Sequence, residues 1–225
     1  MENDKQQDIQ SINEFGITAT INDKKVQMIN IIGQIEGHLI LPPQNKTTKY
    51  EHVIPKLLEI EQSADIDGFI MILNTAGGDV EAGLALAEMV AGMRKPCVSL
   101  VLGGGHSIGV CMAVAADYSY VTKTASMTIH PIRMNGMIIS IPQTFEYFNK
   151  MQERIINFVC GHAKITNEEY KKLMFNTGDL ANDTGTVLVG DEAVKTGIIN
   201  EPGGLKDALE KLYTIIEQSK EGKNE

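Results

Sequence analysis

The sequence predicts an α/β fold built on a mainly parallel sheet. Three observations carry that prediction. Phe69 to Leu73 (FIMIL) is a short unbroken apolar run, as expected of a strand buried on both faces. Gly77-Gly78 follow it, and then an apolar helical stretch runs to about Met93. The same order of strand, glycines and helix repeats from Cys97 to Ala116. Strands that alternate with helices imply βαβ crossovers, and crossovers imply parallel strands.

The elements follow in chain order. Residues 1–24 are polar and are expected to be a loosely ordered N-terminal segment, with one strand near Gly16 to Ile21. A single domain is expected over residues 25–219, with a disordered tail at 220–225. Val26 to Ile35 reads as a strand, and Leu39 to Leu41 stops at Pro42-Pro43. Lys49 to Gln62 reads as a helix in spite of Pro55. Asp79 can cap the helix that stops before Lys95-Pro96. Cys97 to Leu102 is the next strand, Gly103 to Gly105 a turn, and Ser107 to Ala116 a helix. Tyr118 to Val121 and Met127 to Ile129 are short strands. Thr144 to Ala163 is a long amphipathic helix, with Phe145, Phe148, Met151, Ile155, Ile156 and Val159 at helical spacing. A second helix, Thr166 to Met174, opens on a capping-box signature. Gly178 to Gly190 is loop-like around Val187-Leu188-Val189. Asp191 to Thr196 and Leu205 to Gln218 are helical.

Composition removes several classes of function. The hydrophobic share of 43% and charged share of 22% are those of a soluble globular chain. With no tryptophan and 5% aromatics, the core must be aliphatic. A net charge of -9 argues against nucleic acid and anionic membranes as partners. Cys97, Cys111 and Cys160 form neither a CxxC pair nor a disulfide framework, which fits a reducing, cytoplasmic setting. The polar N-terminus resembles neither a signal nor a transit peptide. Cys97 to Ala116 is uncharged and long enough to span a bilayer, but Gly103-Gly104-Gly105-His106-Ser107 would weaken a helix at its centre. A buried strand, a turn and a buried helix are expected there instead, with no membrane span.

Three features can do chemistry. Gly105-His106-Ser107-Ile108-Gly109 is a GxSxG pentad on a strand-to-helix turn, which exposes a serine at the carboxyl end of a strand. Alone it is a weak signal, because glycine-flanked serines are common in turns. Gly77-Gly78 ends the neighbouring unit at the same sheet edge, where free amides can bind an oxyanion. Their other reading is turn glycines. His130, directly after Met127-Thr128-Ile129, best fits a strand end facing the glycine turns. His106 is expected to point away from the serine, and His38, His52 and His162 have no motif around them. An α/β-hydrolase needs its acid after the serine and its histidine last. Here Asp117 is the only aspartate between Ser107 and His162, and no histidine follows, so that order fails. Ser107, His130 and a later aspartate (Asp179, Asp183 or Asp191) remain. Neither GxxxxGK[ST] nor GxGxxG is present, so no nucleotide or other cofactor is expected, and no metal.

These residues resemble the Clp protease proteolytic subunit family, within the crotonase-like superfamily, from about Lys49 to Glu201. Asn74-Thr75-Ala76-Gly77-Gly78 resembles the family's Asn-Ser-Pro-Gly-Gly turn. Gly103 to Gly109 resembles its serine motif, and Met127-Thr128-Ile129-His130-Pro131 its histidine motif. Glu192 to Ile199 resembles its closing segment. Within the family the chain looks most like the translocation-enhancing branch. The resemblance implies a spiral of repeated β-β-α units and a serine endopeptidase acting on peptides or unfolded polypeptide. Ser107 would be the nucleophile, His130 the base, and Gly78 and Ile108 the oxyanion hole. The helix Thr144 to Ala163 would be the handle that joins two rings, giving a heptamer or tetradecamer served by an ATP-driven AAA+ unfoldase.

This chain departs from the pattern in four places. A longer segment than usual precedes Glu192, and both Asp179 and Asp183 qualify as the aspartate that orients His130. Asp183 is favoured as nearer the closing motif, whereas Asp191 belongs to the next helix as a cap. Ala76 replaces a proline, and His106 replaces a small residue. The N-terminus does not resemble the family's axial loop, which sets the unfoldase in doubt. Two other readings stand beside the peptidase: an acyl-CoA enzyme of the crotonase type, and an assembly protein with weak or lost activity.

Overall fold

The computed structural model describes residues 18–21, 23–134, 136–178 and 184–221. The first strands are β1 (Thr18–Ile21), β2 (Lys24–Glu36) and β3 (Thr47–Lys49). Helix α1 (Tyr50–Gln62) follows, then β4 (Gly68–Gly78), α2 (Val80–Ala91), β5 (Cys97–Gly105) and α3 (Gly109–Val114). Strands β6 (Tyr118–Val121) and β7 (Ser126–Ile129) lead to the long helix α4 (Ile141–His162) and to α5 (Asn167–Met174). The chain closes with β8 (Thr186–Val189), α6 (Asp191–Lys195), β9 (Glu201–Pro202) and α7 (Leu205–Glu221).

Among the described residues the main sheet runs β1-β2-β4-β5-β6-β9. All its neighbours are parallel except β1 with β2. Strand β5 is shared. Its first half pairs with β6, whereas Gly104, at its end, pairs with Ser126 of β7, which continues antiparallel into β8. A second, smaller sheet therefore branches from the carboxyl end of the interior strand β5, in a mixed α/β fold with a mostly parallel sheet.

The uninterrupted apolar run in β4 has a physical cause in this architecture. Phe69, Met71 and Leu73 face the larger core, with Leu57 and Ile60 of α1 and Leu86 of α2. Ile70 and Ile72 face the opposite way, onto Ala208, Leu212 and Ile216 of α7. A strand covered by helices on both sides has no polar face to show. Leu212 is fully buried at the centre of the second cluster. Leu212→Ala is expected to cost about 2–5 kcal/mol of stability, read by chemical denaturation.

The helices begin and end where local chemistry dictates. Asp79 caps α2, its carboxylate accepting from Ala82 N–H at 2.8 Å. Thr166 and Glu169 form the complete capping box of α5. Pro55 is tolerated within α1.

Two expected turns are strand instead. Gly77 and Gly78 close β4 in register with Gln34 and Ile35, and Gly103 to Gly105 extend β5. The expected helix at Ser107 to Ala116 is only Gly109–Val114, so Ser107 lies in the turn before it. The stretch Cys97 to Ala116 is thus a strand, a turn and a short helix. No described helix is long and apolar enough to cross a membrane.

Candidate active site

Ser107 has φ 57°, in the left-handed region that side chains disfavour. Hydrogen bonds on every side hold it there. His106 N–H donates to Thr75 O at 3.1 Å, and Ser107 N–H donates to Thr128 O at 2.8 Å. Gly109 N–H and Val110 N–H return to His106 O and Ser107 O at 2.9 and 3.0 Å. Such strain persists only where the surroundings over-determine it. The end of β4 is tied in as well. Thr75 Oγ1 donates to Gly33 O at 2.6 Å and accepts from Gly77 N–H at 3.0 Å.

The paired glycines let β4 approach the serine. A Cβ on Gly77 would lie 2.7 Å from Ser107 Cβ and from His106 O, and one on Gly78 would lie 2.1 Å from Ile35 O. Ile108 N–H has no protein partner among the described residues and lies one residue from the serine.

His130 follows β7 and is half-buried. Its Nδ1 is 2.7 Å from Pro131 O. A carbonyl only accepts, so Nδ1 carries the proton and Nε2 of the neutral ring keeps its lone pair. Among the described residues no hydrogen bond joins Ser107 Oγ to His130.

One cavity of about 330 Å³ collects these groups. Ser107, His130, Gly78 and Ile108 all line it, so four of the residues singled out from sequence come together. Asp179 and Asp183 lie outside the described residues. Asp191 opens α6 but does not cap it. Gly190 holds that position, and Glu192 Oε2 reaches back to Val189 N–H at 2.8 Å. Asp191 lines a different cavity, with Lys123 and Asp207. Asp117 has a structural task, accepting from Cys97 N–H at 2.8 Å where β5 begins. His38 and His162 make local contacts, with Tyr50 and with Phe158 respectively.

Sequence reasoning missed three contributors. Gln34 reaches the cavity from β2, and Tyr170 does so from α5. Gln152 of α4, itself buried, accepts from Ile132 N–H at 3.0 Å and so tethers the segment after His130 to the long helix. One signal for it existed: a glutamine on the same helical face as Ile155, Ile156 and Val159. His106 adds a second imidazole, with Nδ1 2.8 Å from Thr128 Oγ1. Burial, and then the charge of His130, hold its pKa below the usual histidine value.

A serine in a strained turn, paired glycines and a histidine thus line one cavity at the end of a mostly parallel sheet. Residues 22–203 match the family model for Clp protease, and the chain belongs to that family. It is 55% identical to the translocation-enhancing protein TepA of Halalkalibacterium halodurans over 212 residues, 93% of this chain and 83% of that protein. It is 28% identical to a putative protease of Methanocaldococcus jannaschii over 82% of this chain and 67% of that one. A ClpP1 mutant structure from Listeria monocytogenes superposes with TM-score 0.65 at 23% identity, covering 81% of this chain and 94% of that one. That likeness shows the fold.

Proposed function

We propose that this chain is a serine endopeptidase that hydrolyses peptides or unfolded polypeptide inside a ring-shaped homo-oligomer in the cytoplasm. The observation that carries the reading is the shared cavity of Ser107, His130, Gly78 and Ile108. Ser107 Oγ attacks the scissile carbonyl while His130 Nε2 takes its proton. The backbone N–H groups of Gly78 and Ile108 receive the oxyanion. His130 then returns the proton to the leaving amine, an acyl-enzyme forms on Ser107, and water releases it. Asp183 is the group that orients His130. For that the imidazole exchanges the Pro131 carbonyl for the carboxylate at Nδ1.

The Pro131 bond also favours a second reading, an assembly protein with weak activity on the same fold. Labelling with a fluorophosphonate separates the two. Covalent mass on the peptide containing Ser107 supports the peptidase, and an unlabelled Ser107 in the assembled protein supports the other.

The assembly itself rests on α4. Its C-terminal half is packed, with Ile155, Ile156, Phe158 and Val159 buried, whereas Ile141 and Phe145 near its start are 77% and 66% exposed. Met137, Ile138 and Ile139 just before it are exposed too. A second copy covering this apolar stretch is the economical explanation. Sedimentation is expected to show a species far larger than 24.6 kDa, and Phe145→Asp is expected to reduce it to smaller ones. A compact wild-type monomer at micromolar concentration contradicts the proposal. The N-terminal segment does not resemble the family's axial loop, which argues against an unfoldase partner.

A further inference from the structure

The turn that carries Ser107 is fastened at two points to the strand that leads to His130. Both points are on Thr128. Its carbonyl accepts from Ser107 N–H at 2.8 Å, and its hydroxyl meets His106 Nδ1 at 2.8 Å. The His106 ring fills the corner between β5 and β7. A Cβ on Gly104 would lie 2.8 Å from its Cδ2 and Nε2, and Gly104 is the residue of β5 that pairs with Ser126. Among the described residues the Ser107 N–H bond is the one backbone bond between the turn and β7, and a single bond fixes a point of contact but not an orientation. A second bond, from the preceding residue's side chain to the same threonine, fixes the orientation as well.

We propose that His106 is a positioning residue: with Thr128 it locks the Ser107 turn to the strand leading to His130, and so sets the separation across which the serine proton moves. The proposal rests on the reading of Ser107 as nucleophile and His130 as base. The electrostatics agree with the geometry. Burial, and then the charge of His130, lower the pKa of His106 and so favour its uncharged ring. A neutral ring can tie the turn down without opposing the positive charge that His130 acquires as it takes the proton.

The test is a double-mutant cycle with a conservative rescue. His106→Ala removes the ring, and Thr128→Val removes the hydroxyl while keeping a branched side chain suited to a strand. His106→Asn places an amide where Nδ1 was. Peptide hydrolysis gives kcat and KM, fluorophosphonate inactivation gives the reactivity of Ser107, and thermal melting reports the fold. Each single loss is expected to lower kcat by about 10–100-fold, the scale of a small misplacement of reacting groups, with KM within about twofold. The double variant is expected to be no worse than either single one, and His106→Asn to recover most of the rate. Unchanged kcat in the single variants overturns the proposal, as do losses that multiply in the double variant. So does a loss of kcat that follows the melting temperature and is not recovered by asparagine, or a change confined to KM. Hydrolysis retained by Ser107→Ala, or a wild-type protein that is neither active nor labelled, overturns instead the assignment of the nucleophile and takes the positioning role with it.

Discussion

Ser107→Ala is expected to abolish peptide hydrolysis, a loss on the order of a million-fold by analogy with nucleophile removal in serine proteases. Assembly and melting temperature are expected to stay close to wild type. Alanine meets the same left-handed strain at φ 57° as serine does, so the exchange neither relieves nor adds backbone cost. Ser107 Oγ makes no hydrogen bond among the described residues, so its removal leaves no partner unpaired. The backbone bonds of the turn, to Thr75 O and Thr128 O, are indifferent to the side chain. Turnover and sedimentation on the same preparation decide the matter. Wild-type turnover in Ser107→Ala would end the reading of this chain as a serine peptidase.

Asp183→Asn is expected to lower turnover by about four orders of magnitude, the typical cost of losing the acid of a serine-protease triad. The acid holds the imidazole in the productive tautomer and stabilises the imidazolium. In the structure the first of these tasks is met by Pro131 O, which fixes the proton on Nδ1. The second cannot be met by a neutral carbonyl, and it is there that a carboxylate adds rate. Asp179→Asn is the necessary companion. Loss in that variant with near-normal activity in Asp183→Asn moves the role to Asp179. Normal activity in both leaves a serine–histidine dyad with the Pro131 carbonyl as its third member.

The order of elements was legible because the core is aliphatic and doubly covered. A run such as FIMIL can be little else than a central strand, and the glycine-rich ends fell where two parallel strands finish. The boundaries were less legible for identifiable reasons. Gly103 to Gly105 read as a turn, because glycine is poor in strands, yet here close approach by Asn74 and His106 requires it. Pro142 hid the start of α4, although proline is well suited to a helix's first turn. The two-residue β9 has no sequence pattern at all. Ser107 and His130 were legible as motifs, and Gln152 only as a glutamine on the apolar face of its helix, whereas Gln34 and Tyr170 come from elements distant in the chain, and no local spacing betrays them. The choice between Asp179 and Asp183 depends on how a long connection is threaded, which propensity does not encode.

The way the Ser107 turn is fastened has a consequence for the life of the chain as it is made. Its two anchors are Thr75 on one strand and Thr128 on another, and the cavity wall needs β2 and α5 besides. None of these contacts is local, and parallel pairings of distant segments are the slow steps of folding. A nascent or half-folded copy, with β4 and β5 paired but β7 still free, therefore has a serine on a slack loop and no histidine beside it. On the proposed reading as a serine peptidase, hydrolytic competence would arrive only with completion of the fold, and a newly synthesised subunit would not cut its neighbours while they are still unfolded.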